Sequence, residues 1–130
     1  MIVIDSSALL TILLPESDAK VYSDRLSLDH DRLISAATMM ETGMVLMSRR
    51  SEERAAQLGV WLNDFQIAVR PLTSEQAMIA LDAFRRFGKG RHSAGLNICD
   101  CFAYALAKEQ NASLLFKGGD FAKTDITPAL

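Results

Sequence analysis

The chain contains 130 residues, of which 49% are hydrophobic and 23% are charged, and its formal net charge is −2. This composition predicts one globular domain over residues 1–130 and excludes nucleic-acid binding by bulk positive charge. The longest apolar stretch, Ala8–Leu14, ends at Pro15, well short of the ~20 residues that a membrane-spanning helix needs. Cys99 and Cys101 are one residue apart, a spacing that disfavours a mutual disulfide, so we expect a reducing, cytoplasmic location.

Segments typical of strands and helices alternate along the chain. Short β-branched or apolar runs predict strands, and helical periodicity with capping residues predicts the helices between them. In chain order we expect a strand at 1–4, helices at 6–14 and 17–28, a strand at 32–34, helices at 36–50 and 51–65, a strand at 66–69, a helix at 73–87, a loop at 88–95, a helix at 98–110 and a strand at 113–116. This order predicts a three-layer α/β fold with a central, mostly parallel sheet of about four to five strands.

Four carboxylates stand out among the 16 acidic residues. Asp5 directly follows the first strand, Glu41 has apolar neighbours in its helix, Asp100 begins an apolar helix, and Asp120 follows the last strand and a Gly-Gly turn. Each has a structural alternative. Asp5 would cap a helix, Glu41 would reach water from a helix edge, Asp100 would complement a helix dipole, and Asp120 would be an ordinary loop residue.

Taken together, these acids predict a metal site. The carboxyl ends of parallel strands share one edge of a sheet, where ligands usually bind, so distant acids converge there. Two carboxylates ~4 Å apart repel by about 4 kcal/mol at an effective dielectric constant near 20, which a divalent cation would relieve. Oxygen ligands favour Mg²⁺ or Mn²⁺. Zinc is disfavoured because His30, His92 and the two cysteines do not form a zinc-binding pattern.

Four sequence blocks in this order resemble the PIN domain, and more narrowly the VapC-type toxins of type II toxin–antitoxin systems. The blocks are MIVIDSSALL at 1–10, the helix that begins ISAA at 34–37 and contains Glu41, DCFAYALA at 100–107, and LLFKGGDF at 114–121. The resemblance implies an endonuclease of single-stranded RNA that uses Mg²⁺ or Mn²⁺. It also implies a VapB-type antitoxin that neutralises the nuclease, and a homodimer.

Residue by residue, the resemblance assigns Asp5 and Asp100 as principal metal ligands and Glu41 as a further catalytic acid. The fourth acid is less certain, because Gly119 stands where relatives often have Asp or Asn. Asp120 is our choice for it and Asp125 is the rival, so the presence of a second metal ion stays open.

Several residues are candidates for contact with the substrate. Ser7 is expected to be a positioning hydroxyl, because it lies outside any nucleophile-elbow motif. Arg85, Lys89 and Arg91 alternate with aromatic residues, a pattern that suits phosphate contacts and base stacking. The alternative is a helix C-terminus with dipole-matched arginines, followed by a solvated loop.

The methionines of the third predicted helix, Met39, Met40, Met44 and Met47, are expected to pack in the core, and an adaptable interface is the alternative. The Ala8–Leu14 segment is more apolar than one buried face requires, which hints at burial by an antitoxin or a second protomer.

Two other functions remain alternatives. One is a phosphohydrolase or phosphoacceptor domain with Asp5 as the nucleophile, although Ser-Ser follows Asp5 where such enzymes commonly have a second Asp. The other is a non-catalytic binding module, which is disfavoured because unpaired buried carboxylates would only destabilise it.

Overall fold

A computed structural model describes Met1–Leu130, and its centre is a parallel β-sheet. The strands are β1 (Ile2–Ile4), β2 (Arg32–Ser35), β3 (Ile67–Arg70) and β4 (Ser113–Leu115), in the spatial order β3-β2-β1-β4. All three strand pairs are parallel, with Val3 opposite Leu33 and Leu114. The predicted mostly parallel sheet of four to five strands is therefore confirmed.

Seven α-helices connect and cover these strands. They are α1 (Ser6–Leu13), α2 (Ala19–Ser27), α3 (Ala36–Arg49), α4 (Glu52–Ala56), α5 (Leu58–Asp64), α6 (Ser74–Phe87) and α7 (Ile98–Glu109), and a 3-10 helix follows at Phe121–Lys123. Ser35, Ser51, Thr73 and Asn97 cap α3, α4, α6 and α7, each accepting a backbone N–H with its side chain.

Alternation along the strands creates the three layers. Side chains of successive strand residues point to opposite faces of a sheet. Val3 and Leu114 belong to a buried cluster that includes residues of α6 and α7. Ile4 and Leu115 belong to a second cluster, formed with residues of α1, α2, α3 and α5. The predicted three-layer α/β fold is confirmed, with an apolar core on each side of the sheet.

Two predicted helix boundaries are wrong. The second helix begins at Ala19 after Asp18, whose side chain makes no capping hydrogen bond, and it is not capped by Ser17. The predicted helix at 51–65 is interrupted at Gln57. There the Gln57 N–H is shared between the carbonyls of Glu53 and Arg54, both at 3.2 Å, so the helix tightens locally and restarts as α5.

The prediction that the α3 methionines fill the core is also wrong. Met40, Met44 and Met47 are 62%, 60% and 51% exposed, and only Met39 packs against a buried cluster. The buried face of α3 is instead formed by Thr38, Thr42 and Leu46. The exposed methionines line a hollow of about 620 Å³ between α3 and the α4–α5 segment.

None of the helices is both long and apolar enough to cross a membrane. Both cysteines are free thiols: Cys101 is buried and Cys99 is partly exposed.

Candidate active site

Asp5 lies at the carboxyl end of β1, in the interior of the sheet. Its backbone N–H donates to the Leu115 carbonyl of β4 at 2.9 Å, and the residue is only 2% exposed. One carboxylate oxygen, Oδ2, accepts hydrogen bonds from the Ser7 backbone N–H at 2.9 Å and from Ser7 Oγ at 2.6 Å. The other oxygen, Oδ1, is buried without any partner. Asp5 therefore caps α1 with one oxygen and keeps the second available for a ligand.

The Ser7 hydroxyl is oriented by a contact from the opposite side. The Lys117 backbone N–H, just after β4, donates to Ser7 Oγ at 3.0 Å. Because Ser7 Oγ accepts this bond, its own proton is directed to Asp5. The hydroxyl thus contacts the carboxylate in the way that a positioning residue would.

Asp100 lies in the first turn of α7 and takes part in a capping box with Asn97. Its side chain accepts the Asn97 N–H and the Asn97 side chain accepts the Asp100 N–H, each at 2.9 Å. Burial raises the pKa of Asp100 to about 6, and the charges of Asp5, Glu41 and Asp120 add to the increase. The hydrogen bond from Asn97 opposes it. The four predicted acids therefore lie close enough to influence one carboxyl group.

Glu41 acts on Asp100 from helix α3, which packs against α7. Burial is the main reason that the pKa of Asp5 is raised, and the charge of Glu41 adds to the effect, whereas the hydrogen bonds from Ser7 oppose it. The Cys99 thiol is a neighbour that sequence reasoning missed. The pKa of Cys99 is raised to about 12, mainly by burial. A hydrogen bond to Glu41 and the charges of Glu41, Asp100 and Asp5 raise it further.

These side chains fit a hard divalent cation without forming a ready-made metal cage. No three His, Cys, Asp or Glu side chains are grouped tightly enough to form a metal-binding cluster. The unpartnered Oδ1 of Asp5 nevertheless lacks a cation or donor, and a buried unpaired carboxylate oxygen is costly. Mg²⁺ is commonly held by one or two carboxylates and keeps several waters. Asp5 and Asp100 match that mode of binding.

The two rivals for the fourth acid lie in different surroundings. Asp120 is exposed and raises the pKa of Asp100 by its charge. Asp125 accepts hydrogen bonds from Tyr104 at 2.6 Å and Arg86 at 3.2 Å and forms an ion pair with Lys108 at 3.1 Å. Asp125 thus already has partners outside the acidic group, and Asp120 is the acid beside it.

The predicted basic residues lie around the connection that leads into α7. Arg85 forms an ion pair with Asp82 one turn earlier in α6, at 2.7 Å, and Arg91 donates to the Arg85 carbonyl at 3.1 Å. Lys89 is exposed and its side chain has no partner within the protein. This connection places all three near the end of α7 that carries Asp100, but none contacts the acids.

The contacts of Lys117, whose backbone N–H donates to Ser7 Oγ, were not predicted from the sequence. The Lys117 ammonium contacts Glu16 and Asp18, which precede α2. Since about 100 residues separate Lys117 from these acids, no local pattern could have found the contact.

Comparison with known proteins identifies the family. The sequence profile of the PIN domain matches residues 2–126. The Ribonuclease VapC of Mycolicibacterium smegmatis is 45% identical over 124 residues, which cover 95% of this chain and 96% of that protein. The chain therefore belongs to the PIN domain family and, within it, to the VapC ribonucleases. PIN-domain ribonucleases depend on a divalent metal ion.

Solved structures share the fold at low sequence identity. Mycobacterium tuberculosis VapC20, described as a toxin that cleaves the sarcin-ricin loop, superposes with a TM-score of 0.80 at 14% identity, covering 98% of this chain and 97% of that one. VapBC2 from Rickettsia felis, bound to a DNA fragment from its promoter, gives a TM-score of 0.72 at 14% identity, covering 100% and 96%. At these identities the structures support the fold alone.

Proposed function

We propose that residues 1–130 act as a single PIN domain that cleaves single-stranded RNA endonucleolytically with Mg²⁺ or Mn²⁺. The observation that carries the proposal is the buried Asp5 Oδ1, which has no hydrogen-bond partner. The charge of Glu41 acts on Asp5, and the charges of Asp5, Glu41 and Asp120 act on Asp100. A buried carboxylate is stable only with a partner or a bound proton. Burial is the main reason that the pKa of Asp100 is raised, and the charges of Asp5, Glu41 and Asp120 add to it.

In this proposal each acid has a separate role. Asp5 and Asp100 would hold the metal ion, which would supply Lewis-acid stabilisation of the charge that develops on the phosphate. Glu41 orients the attacking water and accepts its proton, and Asp120 completes the acidic site. The water oxygen bonds to phosphorus, the bond from phosphorus to the 3′ oxygen breaks, and that oxygen takes up a proton. The products are a 5′-phosphate and a 3′-hydroxyl.

The substrate contacts are proposed for four residues. Ser7 keeps Asp5 in its orientation through the 2.6 Å hydrogen bond to Oδ2. Arg85, Lys89 and Arg91 bind the phosphate chain as it leaves the acidic site. Lys89 is immediately available, since its ammonium has no partner in the protein, whereas Arg85 would have to leave Asp82.

A cleavage assay on labelled single-stranded RNA tests this function. Wild-type protein should cut with Mg²⁺ or Mn²⁺ and stop with EDTA, and Asp5→Asn and Asp100→Asn should each lose at least 100-fold in rate. Asp24→Asn is the matched control, because Asp24 lies in α2 and pairs with Lys20. Metal-independent cleavage, or equal loss in the control, would contradict the proposal.

The same variants distinguish the two alternatives. A phosphohydrolase that uses Asp5 as nucleophile would accumulate an acid-stable aspartyl phosphate and hydrolyse a simple phosphomonoester. A non-catalytic module would show neither RNA cleavage nor stabilisation by Mn²⁺.

We further propose that a VapB-type antitoxin neutralises the nuclease and that the chain forms a homodimer in the cytoplasm. Two exposed apolar faces support partners: the α3 methionines and an α6–α7 face containing Met78, Leu81 and Ile98, each more than 60% exposed. Free thiols fit a reducing compartment. Co-purification with the product of an adjacent gene, and the mass of the isolated chain in solution, test these partners.

A further inference from the structure

Lys117 is a cationic residue whose backbone lies one hydroxyl away from the Asp5 carboxylate, and neither the family comparison nor the sequence assigns it a role. It follows β4 and precedes the Gly118-Gly119 turn that leads to Asp120. Its ammonium contacts the Glu16 carboxylate and lies 3.0 Å from Asp18 Oδ1. The Lys117 side chain is 37% exposed, and those of its two partners are 40% and 38% exposed.

The backbone of Lys117 is directly connected to the proposed metal site. Its N–H donates to Ser7 Oγ at 3.0 Å, and that hydroxyl donates to Asp5 Oδ2 at 2.6 Å. A single hydroxyl therefore separates the Lys117 backbone from the Asp5 carboxylate. No other lysine or arginine forms a hydrogen bond with Asp5 or Ser7.

The four acids of the proposed site carry enough negative charge to favour a nearby cationic side chain. Asp5, Glu41, Asp100 and Asp120 bring up to four negative charges, and a phosphodiester brings one more. One divalent ion neutralises only two of them, so a phosphate entering the site meets net repulsion. A lysine beside the site would offset it, because a positive group that faces a phosphate both attracts and orients it.

We propose that Lys117 is a substrate-binding residue of this nuclease, whose ammonium leaves Glu16 and Asp18 to bind an RNA phosphate at the acidic site. The inference rests on the proposed RNA cleavage. Exposed ion pairs contribute little to stability, so a phosphate displaces these carboxylates at low cost. Lysine suits the task, since its flexible four-carbon stem carries three donors. The two carboxylates also raise the pKa of Lys117, which keeps it charged.

The alternative is that Lys117 only ties the connection before α2 to the segment after β4. That tether would affect folding stability and leave RNA affinity unchanged. Binding of a fluorescein-labelled oligouridylate, measured by anisotropy with Ca²⁺ to limit cleavage, separates the two. Lys117→Met should weaken binding about tenfold and reduce the slope of log affinity against log salt by about 0.7, the value for one phosphate contact on a single strand.

Lys20→Met is the matched control, since Lys20 is an exposed lysine of α2 paired with Asp24. It should change neither the affinity nor the slope. Lys117→Arg should keep most of the affinity, because it keeps the charge. Thermal melting of each variant verifies that it folds.

A second experiment tests whether Glu16 and Asp18 compete with RNA for the Lys117 ammonium. The double variant Glu16→Gln/Asp18→Asn removes both carboxylates that bind Lys117 and should strengthen RNA binding. The gain should exceed that of Glu52→Gln/Glu53→Gln in α4, which changes the net charge equally. The extra gain should disappear when Lys117→Met is added. If wild-type protein binds the oligouridylate and Lys117→Met matches Lys20→Met, the role of Lys117 is refuted. If wild-type protein neither binds nor cuts RNA, the proposed function itself fails.

Discussion

The Ser7 hydroxyl holds one oxygen of the Asp5 carboxylate and leaves the other free. The 2.6 Å bond from Ser7 Oγ and the 2.9 Å bond from its backbone N–H both reach Oδ2, whereas the buried Oδ1 has no donor. Two donors on one oxygen fix the carboxylate plane. Asp5 Oδ1 is therefore already oriented, and the carboxylate would not have to rotate to bind a metal ion.

Ser7→Ala should weaken metal binding without unfolding the protein. The variant removes one of the two hydrogen bonds to Oδ2, and these bonds lower the pKa of Asp5 against the effect of burial. We expect Mn²⁺ affinity to fall about tenfold, the usual result of losing a partner that orients a metal ligand. Isothermal titration with Mn²⁺ measures this loss. Ser6→Ala is the control, because the Ser6 hydroxyl makes no hydrogen bond in the protein, and equal affinities for the two variants would contradict the positioning role.

Asp100→Asn should stabilise the metal-free protein at neutral pH. Burial raises the pKa of Asp100 from 3.8 to about 6, so the folded protein binds more protons than the unfolded one between these values. Stability therefore falls as the pH rises through this window, and the penalty is fully present at pH 7. Because the side chain is partly exposed and screened by solvent, we expect Asp100→Asn to recover about 1–2 kcal/mol.

Urea unfolding in EDTA at pH 5 and pH 7 checks this result. Wild-type protein should gain stability relative to Asp100→Asn as the pH falls, and adding Mn²⁺ should reverse the order at pH 7. A variant less stable than wild type at pH 7 in EDTA would show that the acid is a structural cap and nothing more. The Asn97 N–H can still donate to the amide oxygen of the variant, so the capping box survives the substitution.

Metal affinity should itself depend on pH in the same window. A metal ion and a proton compete for the Asp100 carboxylate, whose pKa is raised to about 6, and burial also raises the pKa of Asp5. The Kd for Mn²⁺ should therefore increase as the pH falls below 6, by about tenfold per pH unit for each carboxylate that must release a proton to bind the ion. A Kd that does not change between pH 5 and pH 8 would place the ion away from these acids.

The order of strands and helices was predictable because the strands are short and rich in apolar residues, and capping residues mark the starts of several helices. Ser35, Thr73 and Asn97 act as the sequence indicated. The position of Asp5 and Asp100 was predictable from topology. In a parallel sheet, β1 ends at the carboxyl edge, and α7, which leads into β4, begins near the same edge. Asp5 and Asp100 both take part in helix capping, and this role is compatible with the proposed role of each as a metal ligand.

Other features depend on tertiary contacts that no local pattern contains. The α3 methionines have the spacing of a buried stripe, but Thr38 and Thr42 occupy the interior instead, and the hydroxyl of Thr42 bonds the Thr38 carbonyl at 2.8 Å. Thr42 satisfies its hydroxyl within the helix in this way, whereas the buried Thr38 hydroxyl has no hydrogen-bond partner. The contacts of Lys117 were invisible for a related reason, since all of them join segments distant in sequence.

Gly88→Ala should destabilise the loop that carries the basic residues. Gly88 ends α6, and a Cβ at this position would lie 2.3 Å from the Phe84 carbonyl oxygen and 2.6 Å from the Phe84 ring. Because the first of these atoms belongs to the backbone, relief requires the helix end to move. We expect a loss of about 2–4 kcal/mol in the free energy of unfolding by urea.

Gly59→Ala serves as the control for that substitution. Gly59 lies within α5 and nothing approaches its Cβ position within 4 Å, so alanine should add about 0.5–1 kcal/mol through its helix propensity. Equal effects of the two alanines would mean that the close approach of Gly88 to Phe84 imposes no restriction.

Asp120→Asn and Asp125→Asn should have opposite effects and so identify the fourth acid. Burial acts to raise the pKa of Asp125, but hydrogen bonds from Tyr104, Lys108 and Arg86 outweigh it and lower the pKa to about 2. The ionised form therefore stabilises the fold above pH 4, and this stability is lost as the pH falls toward 2. Since the side chain is 43% exposed, Asp125→Asn should cost only about 1 kcal/mol and leave RNA cleavage intact.

Asp120→Asn should do the reverse. Asp120 is exposed, and its charge acts on Asp100, so its loss should leave urea unfolding nearly unchanged and reduce the cleavage rate at least tenfold. Measured side by side, rate and stability should separate the two residues completely. A rate loss in Asp125→Asn that exceeds the loss in Asp120→Asn would assign the fourth acid to Asp125, and the Tyr104 contact would then have to break in the working enzyme.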